Sequence, residues 1–72
     1  MAKYNGHKSR NHWNVSLWMN NDERMYRYMV KLCGFMTKDK AADRLAAELD
    51  GLRTPDGARY SRSAIRAALV GI

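Results

Sequence analysis

Acidic residues are missing from the first 21 positions, cysteine occurs once in 72 residues, and no apolar run approaches membrane length. Each gap removes a class of protein. A single cysteine, Cys33, excludes an internal disulfide and suits a reducing compartment. A membrane-spanning helix needs about 20 mostly apolar residues, so no membrane span is expected. Behind Met1-Ala2-Lys3 the chain turns polar, which leaves no apolar segment for a secretory leader. The expected location is the cytoplasm.

The usual carriers of chemistry are also sparse. His7, His12 and Cys33 are metal-ligand residue types, but no C-x-x-C or H-x-x-x-H spacing brings two of them together. No glycine-rich loop is present that could cradle a phosphate. Cys33 falls on the edge of an apolar helical face, where a small packed residue is the simpler reading than a nucleophile. The adjacent acids Asp22 and Glu23 are accounted for by a helix start. The sequence therefore predicts no catalysis, no cofactor and no metal.

What remains is a small, ordinary globular composition, 46% apolar and 28% charged. Seventy-two residues make one domain near the lower limit for a self-sufficient core, so a homodimer stays open. Net charge is +6, and its placement is uneven. Lys3, Lys8 and Arg10 give residues 1–21 a charge of +3, residues 22–52 are neutral, and residues 53–72 carry +3 again. Basic ends around a neutral middle suit an anionic partner, whether nucleic acid, an acidic protein surface or a nucleoprotein. They equally suit a solvated surface that keeps a small protein in solution.

Along the chain, residues 1–10 have an Asn5-Gly6 turn signal and no periodicity, and read as an irregular basic arm before a helical domain at 11–72. The stretch Asn11–Tyr28 holds both tryptophans and is expected to seed the core. Its first half is ambiguous. Trp13, Val15, Leu17 and Met19 alternate with polar residues, yet Trp13 with Leu17 and Val15 with Met19 are also four apart. Trp18 breaks the alternation and no second strand exists to pair with it, which favours a helix at 11–20.

A second helix is expected at 22–33, capped by the Asn21-Asp22 region. Its apolar face is Met25, Tyr28, Met29 and Leu32, widened by Tyr26, Val30 and Cys33, with Gly34 as a left-handed stop. Arg24, Arg27 and Lys31 form a basic ridge opposite, at spacings of three and four. Phe35 and Met36 are expected to pin the connection. Thr37 caps a third helix at 38–50, with Ala42, Leu45, Ala46 and Leu49 on one side and Gly51 as its stop. Thr54-Pro55-Asp56-Gly57 is a turn. Ser61 caps a last helix at 62–70, with Ala64, Ile65, Ala68, Leu69 and Ile72 inward and Arg62 and Arg66 outward. The expected fold is all-α, a compact bundle of about four short helices.

Two resemblances attach to these residues. Tyr4-Asn5-Gly6, Trp13-Asn14-Val15, Leu17-Trp18, Asn21-Asp22-Glu23 and Tyr26-Arg27 resemble a group of small proteins encoded by tailed phages and prophages, which carry an N-G…W-N-V-x-L-W…N-D-E…Y-R pattern. Arg24 stands where that group commonly has glycine. The resemblance implies a phage origin, hence the cytoplasm of a host cell, and no mechanism. Separately, Ala42 to Leu69, with Arg53-Thr54-Pro55-Asp56-Gly57, Tyr60-Ser61 and Ile65-Arg66, is similar to a helix–turn–helix-like element in the DNA-binding region of large serine recombinases. That implies a Ser-capped basic helix reaching phosphates or base edges, although nothing of a recombinase catalytic domain is present. Turn, cap and amphipathic helix equally make a plain helical hairpin.

Two functions are therefore expected. The first is a non-enzymatic phage protein that binds and blocks a host protein or nucleoprotein, most concretely an anti-CRISPR-type inhibitor of a surveillance complex. Its contact candidates are Arg59, Arg62 and Arg66 together with the Arg24, Arg27 and Lys31 ridge. The alternative is a small DNA-binding regulatory or architectural protein that uses the last helix. Reversing the charge of Arg62 and Arg66 is expected to abolish either activity without disturbing the fold.

Overall fold

The computed structural model describes residues 9–72, so the arm expected over the first eight positions lies outside the described residues. Four helices follow in order: α1 (Arg10–Asn21), α2 (Glu23–Phe35), α3 (Lys38–Glu48) and α4 (Arg62–Ala68). The fold is all-α. Among the described residues the one extended pairing is an isolated antiparallel bridge between Arg53 and Arg59.

Every helix start is set by a side chain that the sequence supplies at the right place. Ser9, Asp22, Thr37 and Ser61 accept from the backbone N–H three residues on, at His12, Met25, Lys40 and Ala64. A cap of this kind is worth about 1 kcal/mol. Because Ser9 is the first cap, Arg10 already belongs to α1 rather than to an arm. Asp22 serves two helices. Its N–H closes α1 on the Trp18 carbonyl (3.1 Å), while its carboxylate opens α2 (3.1 Å to the Met25 N–H). The two helices thus meet with one residue between them.

Helix ends depart from expectation in instructive ways. Gly34 does not stop α2. It sits within the helix, and the ladder continues to the bond from the Met36 N–H to the Leu32 carbonyl (3.0 Å). Among the described residues the left-handed glycines are Gly51, Gly57 and Gly71. α3 ends at Glu48 and α4 at Ala68, each two residues short of its expected end, because tighter turns take over at Leu49 and Leu69.

The core is aliphatic rather than aromatic. Val15 and Met19 of α1, Met29 and Leu32 of α2, Ala41, Ala42 and Leu45 of α3, and Ala64, Ile65, Ala68 and Leu69 in and after α4 are buried together. Neither tryptophan belongs to this cluster, which corrects the expectation of a tryptophan-seeded core. Of the two i,i+4 pairs on α1, Val15/Met19 faces inward, while Leu17 is exposed and Trp13 half-buried. Tyr26 and Val30 do not widen the buried face of α2 either, since each remains 43% exposed. Alanines on α3 and α4 let those helices approach closely. α4 packs on α1 and α3, and α2 packs on the same two helices without touching α4. One long side of α2 consequently faces solvent.

Candidate binding surface

The segment between α3 and α4 is held to α1 by a set of polar side chains. Buried Asn14 accepts from the Thr54 hydroxyl (2.6 Å) and donates to the Asp56 carboxylate (2.9 Å). Trp18 Nε1 donates to the same Asp56 oxygen (3.0 Å). One turn earlier, the Asn11 amide accepts from the Arg59 N–H and donates to the Arg59 carbonyl, both at 3.0 Å. Asn11, Asn14 and Trp18 share one face of α1 because they are three, four and seven apart. The turn they grip is closed by the Gly57 N–H on the Thr54 carbonyl (2.8 Å), with Gly57 at φ +87°. The Thr54 N–H donates to the Ala58 carbonyl (2.8 Å), and the Thr54 hydroxyl accepts from the Ala58 N–H (3.0 Å). Both bonds to Asp56 favour its ionised form, and they hold its carboxyl below the ordinary range, the Asn14 bond most strongly. Asn14, Trp18, Thr54 and Asp56 are thereby occupied in building the fold.

The six candidate contact residues fall on two separate surfaces. Arg62 and Arg66 lie on the α3–α4 seam and are already paired. Arg62 Nε donates to Asp43 (2.6 Å), and Arg66 Nε donates to Asp39 (2.8 Å), which also lies 3.6 Å from Arg62. The bond from Arg66 and its charge hold the Asp39 carboxyl below its ordinary value, while Asp43 raises the Arg62 guanidinium above its own. Arg59 and Arg62 line one shallow cleft with Asp50, Tyr60 and Ser61. The Tyr60 phenol there is pushed up by burial and, secondarily, by Asp22.

Arg24, Arg27 and Lys31 sit on the solvent side of α2, away from that cleft. Arg27 is paired with Glu23 one turn back, whereas Arg24 and Lys31 form no ion pair among the described residues. On the same exposed helix stand Tyr26 and Val30, four apart, and Phe35, 64% exposed. This face therefore combines cations with apolar and aromatic side chains.

Two further cations, Arg53 and Arg10, are not among the residues the sequence puts forward for contact. Among the described residues Arg53 pairs with the candidate Arg59 in the isolated bridge, on either side of the Thr-Pro-Asp-Gly turn. The Thr54–Ala58 bond closes a loop of Pro55, Asp56 and Gly57, which sets Arg53 and Arg59 opposite one another one position further out. Arg10 lies beside Asn11 at the start of α1, near enough to Asp56 to help depress its carboxyl. Among the described residues no group of three or more His, Cys, Asp or Glu side chains is placed to hold a metal ion, and no helix is long and apolar enough to cross a membrane.

Neither a curated protein nor a solved structure matches the chain. A family model does match, over residues 1–71, which is nearly the whole length. By that match the chain belongs to a family of unknown function, DUF7249.

Proposed function

We propose that this protein acts without catalysis, by binding a host macromolecule through the outward face of α2 and occluding it. The most concrete form is a phage-encoded inhibitor of a nucleic-acid-targeting defence complex, of the anti-CRISPR type, working in the host cytoplasm. One observation carries the reading: Arg24, Arg27 and Lys31 share the solvent side of α2 with Tyr26, Val30 and Phe35. Tyrosine and arginine are enriched where proteins bind proteins, with apolar contact at the centre and charge guiding approach. A partner complementary to this face is a protein patch that is acidic opposite Arg24, Arg27 and Lys31 and apolar opposite the flanking Tyr26 and Val30. The resemblance of residues 4–28 to small phage proteins supports the origin.

A DNA-binding module built on α4 draws less support. Its two outward arginines are bound to Asp39 and Asp43, and its seven residues lie packed between α1 and α3.

The test is to express the protein in bacterial hosts armed with RNA-guided DNA-cutting systems and count plaques of a phage those systems restrict. Plaque numbers should rise by orders of magnitude, and Arg24→Glu/Lys31→Glu should remove the rise while melting like the native protein. Restriction that stands unchanged in every host, or a charge-reversed variant as active as the original, sinks the reading. Sedimentation of the purified protein covers the other occupant. A dimer abolished by Tyr26→Ala/Val30→Asp would assign the face to a second copy of the chain.

A further inference from the structure

Arg53 and Arg59 occupy a geometry that a folded protein ordinarily avoids. In an antiparallel pair, residues directly opposite either exchange backbone hydrogen bonds or do not, and in the second kind the side chains stand closest. Arg53 and Arg59 are of the second kind. The ladder bond falls one position inward, from Thr54 to Ala58, and the Arg59 N–H and C=O both turn away to the Asn11 amide. Like charges placed directly opposite are destabilising.

The orientation of the pair follows from alternation along the chain. Thr54 and Ala58 are buried against α1 at 4% and 5% exposure, so Arg53 and Arg59 project from the opposite, solvent-facing side. Arg53 donates to the Gly57 carbonyl (3.2 Å), and neither arginine forms an ion pair with a carboxylate among the described residues. Asp56, in the same turn, is held by Asn14 and Trp18, and Asp50 beside Arg59 forms no ion pair with it.

The surroundings add further positive charge, offset in part by the ionised Asp56, which lies near enough to Arg10 to feel its charge. Arg10 is exposed on the neighbouring first turn of α1, which contains no acidic residue. The positive end of the α1 dipole lies at that same turn. Two hydrogen bonds from Asn11 fix the ribbon to it, so the backbones that carry the three cations are held next to one another. Such a cluster is stabilised when an anion with several acceptor oxygens bridges the guanidiniums.

We propose that the Arg53–Arg59 ribbon, with Arg10, is a binding site for the phosphodiester backbone of a nucleic acid. The choice of phosphate over an acidic protein rests on what surrounds the pair. The large exposed aromatic and aliphatic groups of α2 are on another face, Leu52 is the one exposed large apolar side chain next to the pair in sequence among the described residues, and the polar Asn11 amide is bonded to the ribbon itself. Contact without base readout is expected, because two arginines on a short turn reach phosphates rather than a groove floor. The site is independent of the α2 face, so either can fail alone.

The experiment is fluorescence anisotropy of labelled single-stranded DNA, single-stranded RNA and duplex DNA titrated with the full-length protein across a salt series. Three phosphate contacts predict a log–log salt slope of about −2 to −3. Arg53→Gln/Arg59→Gln should weaken binding about tenfold or more at low salt and flatten the slope by about 1.4 to 1.8. It should also melt no lower than the original, since it removes the repulsion between two like charges. Arg24→Gln/Lys31→Gln should leave binding unchanged. Should the glutamine pair fold poorly, Arg10→Gln carries the test alone, with a slope flattened by about 0.7 to 0.9. Three results overturn the proposal: no binding to any probe at the lowest salt, an unchanged slope in the folded variants, or competition by polyglutamate equal to that by unlabelled nucleic acid.

Discussion

Asn14 and Asp56 are 42 positions apart in sequence and joined by a 2.9 Å hydrogen bond. With the Thr54 hydroxyl on its other side, the buried Asn14 amide ties the α3–α4 connection to the first helix. A short bundle with few large core residues gains in this way a polar anchor that fixes where the turn sits.

Removing that anchor should cost more than its size suggests. Asn14→Ala leaves the Thr54 hydroxyl buried without its acceptor and opens a small void, a loss of about 2–4 kcal/mol. Thr54→Val keeps the shape but strands both the Asn14 oxygen and the Ala58 N–H, for about 1–3 kcal/mol. Urea denaturation of both variants and of the pair tests the coupling. The double variant should lose less than the two single losses together, because each leaves the other's partner unsatisfied. Strict additivity would show that the two side chains act separately.

Acid should weaken the fold through the two depressed carboxylates. Asp56 is lowered by its bonds from Asn14 and Trp18, and Asp39 by Arg66 and Arg62. A carboxylate with a folded pKa below its unfolded value contributes stability above the unfolded value, near 3.8, and loses it as pH falls through the folded one. Melting temperature should therefore decline from about pH 5 downward. Asp56→Asn, which still accepts hydrogen bonds but does not titrate, should flatten that decline. An acid limb identical to the original's would show that Asp56 is not a source of it.

Much of this was legible in sequence, for a definite reason. Caps and turns are local chemistry, so Asp22, Thr37, Ser61 and the Thr54–Gly57 turn can be placed from their neighbours alone. Periodicity located the inward faces of α3 and α4 for the same reason. What could not be read was pairing between distant elements. Nothing local says that Asp39 and Asp43 face Arg62 and Arg66, so those arginines look like free cations in sequence and prove to be partnered. Nor does composition reveal that Trp18 is bonded to Asp56 at the rim, leaving methionine, leucine and alanine to fill the centre.

Glycine offers a paired prediction of opposite sign. A Cβ at Gly34 would meet nothing within 4 Å, and the backbone there is helical. Gly34→Ala should stabilise by about 0.5–1 kcal/mol by restricting the unfolded chain. Gly57 is equally uncrowded but lies at φ +87°, so Gly57→Ala should destabilise by about 1–2 kcal/mol through backbone strain alone. Thermal melts of the two variants decide the matter, and a Gly34→Ala protein that melts lower would contradict the helical placement.

The arginines of α4 call for a charge swap rather than a simple reversal. Arg62→Glu/Arg66→Glu was expected to leave the fold intact, yet it would set two glutamates against Asp39 and Asp43 across the α3–α4 seam. Neutral Arg62→Gln/Arg66→Gln should lower the melting temperature slightly, because solvent-exposed pairs contribute little. The reversal should lower it further, since it adds repulsion where attraction stood. Combining the reversal with Asp39→Arg/Asp43→Arg restores opposite charges in exchanged positions and should recover most of the loss. Added salt should narrow the gap between reversal and original, because screening acts on exposed charges. A reversal variant that melts with the original at low salt would mean that the seam is indifferent to these ion pairs. Only in that case does any loss of activity in the same variant speak to a contact surface rather than to folding.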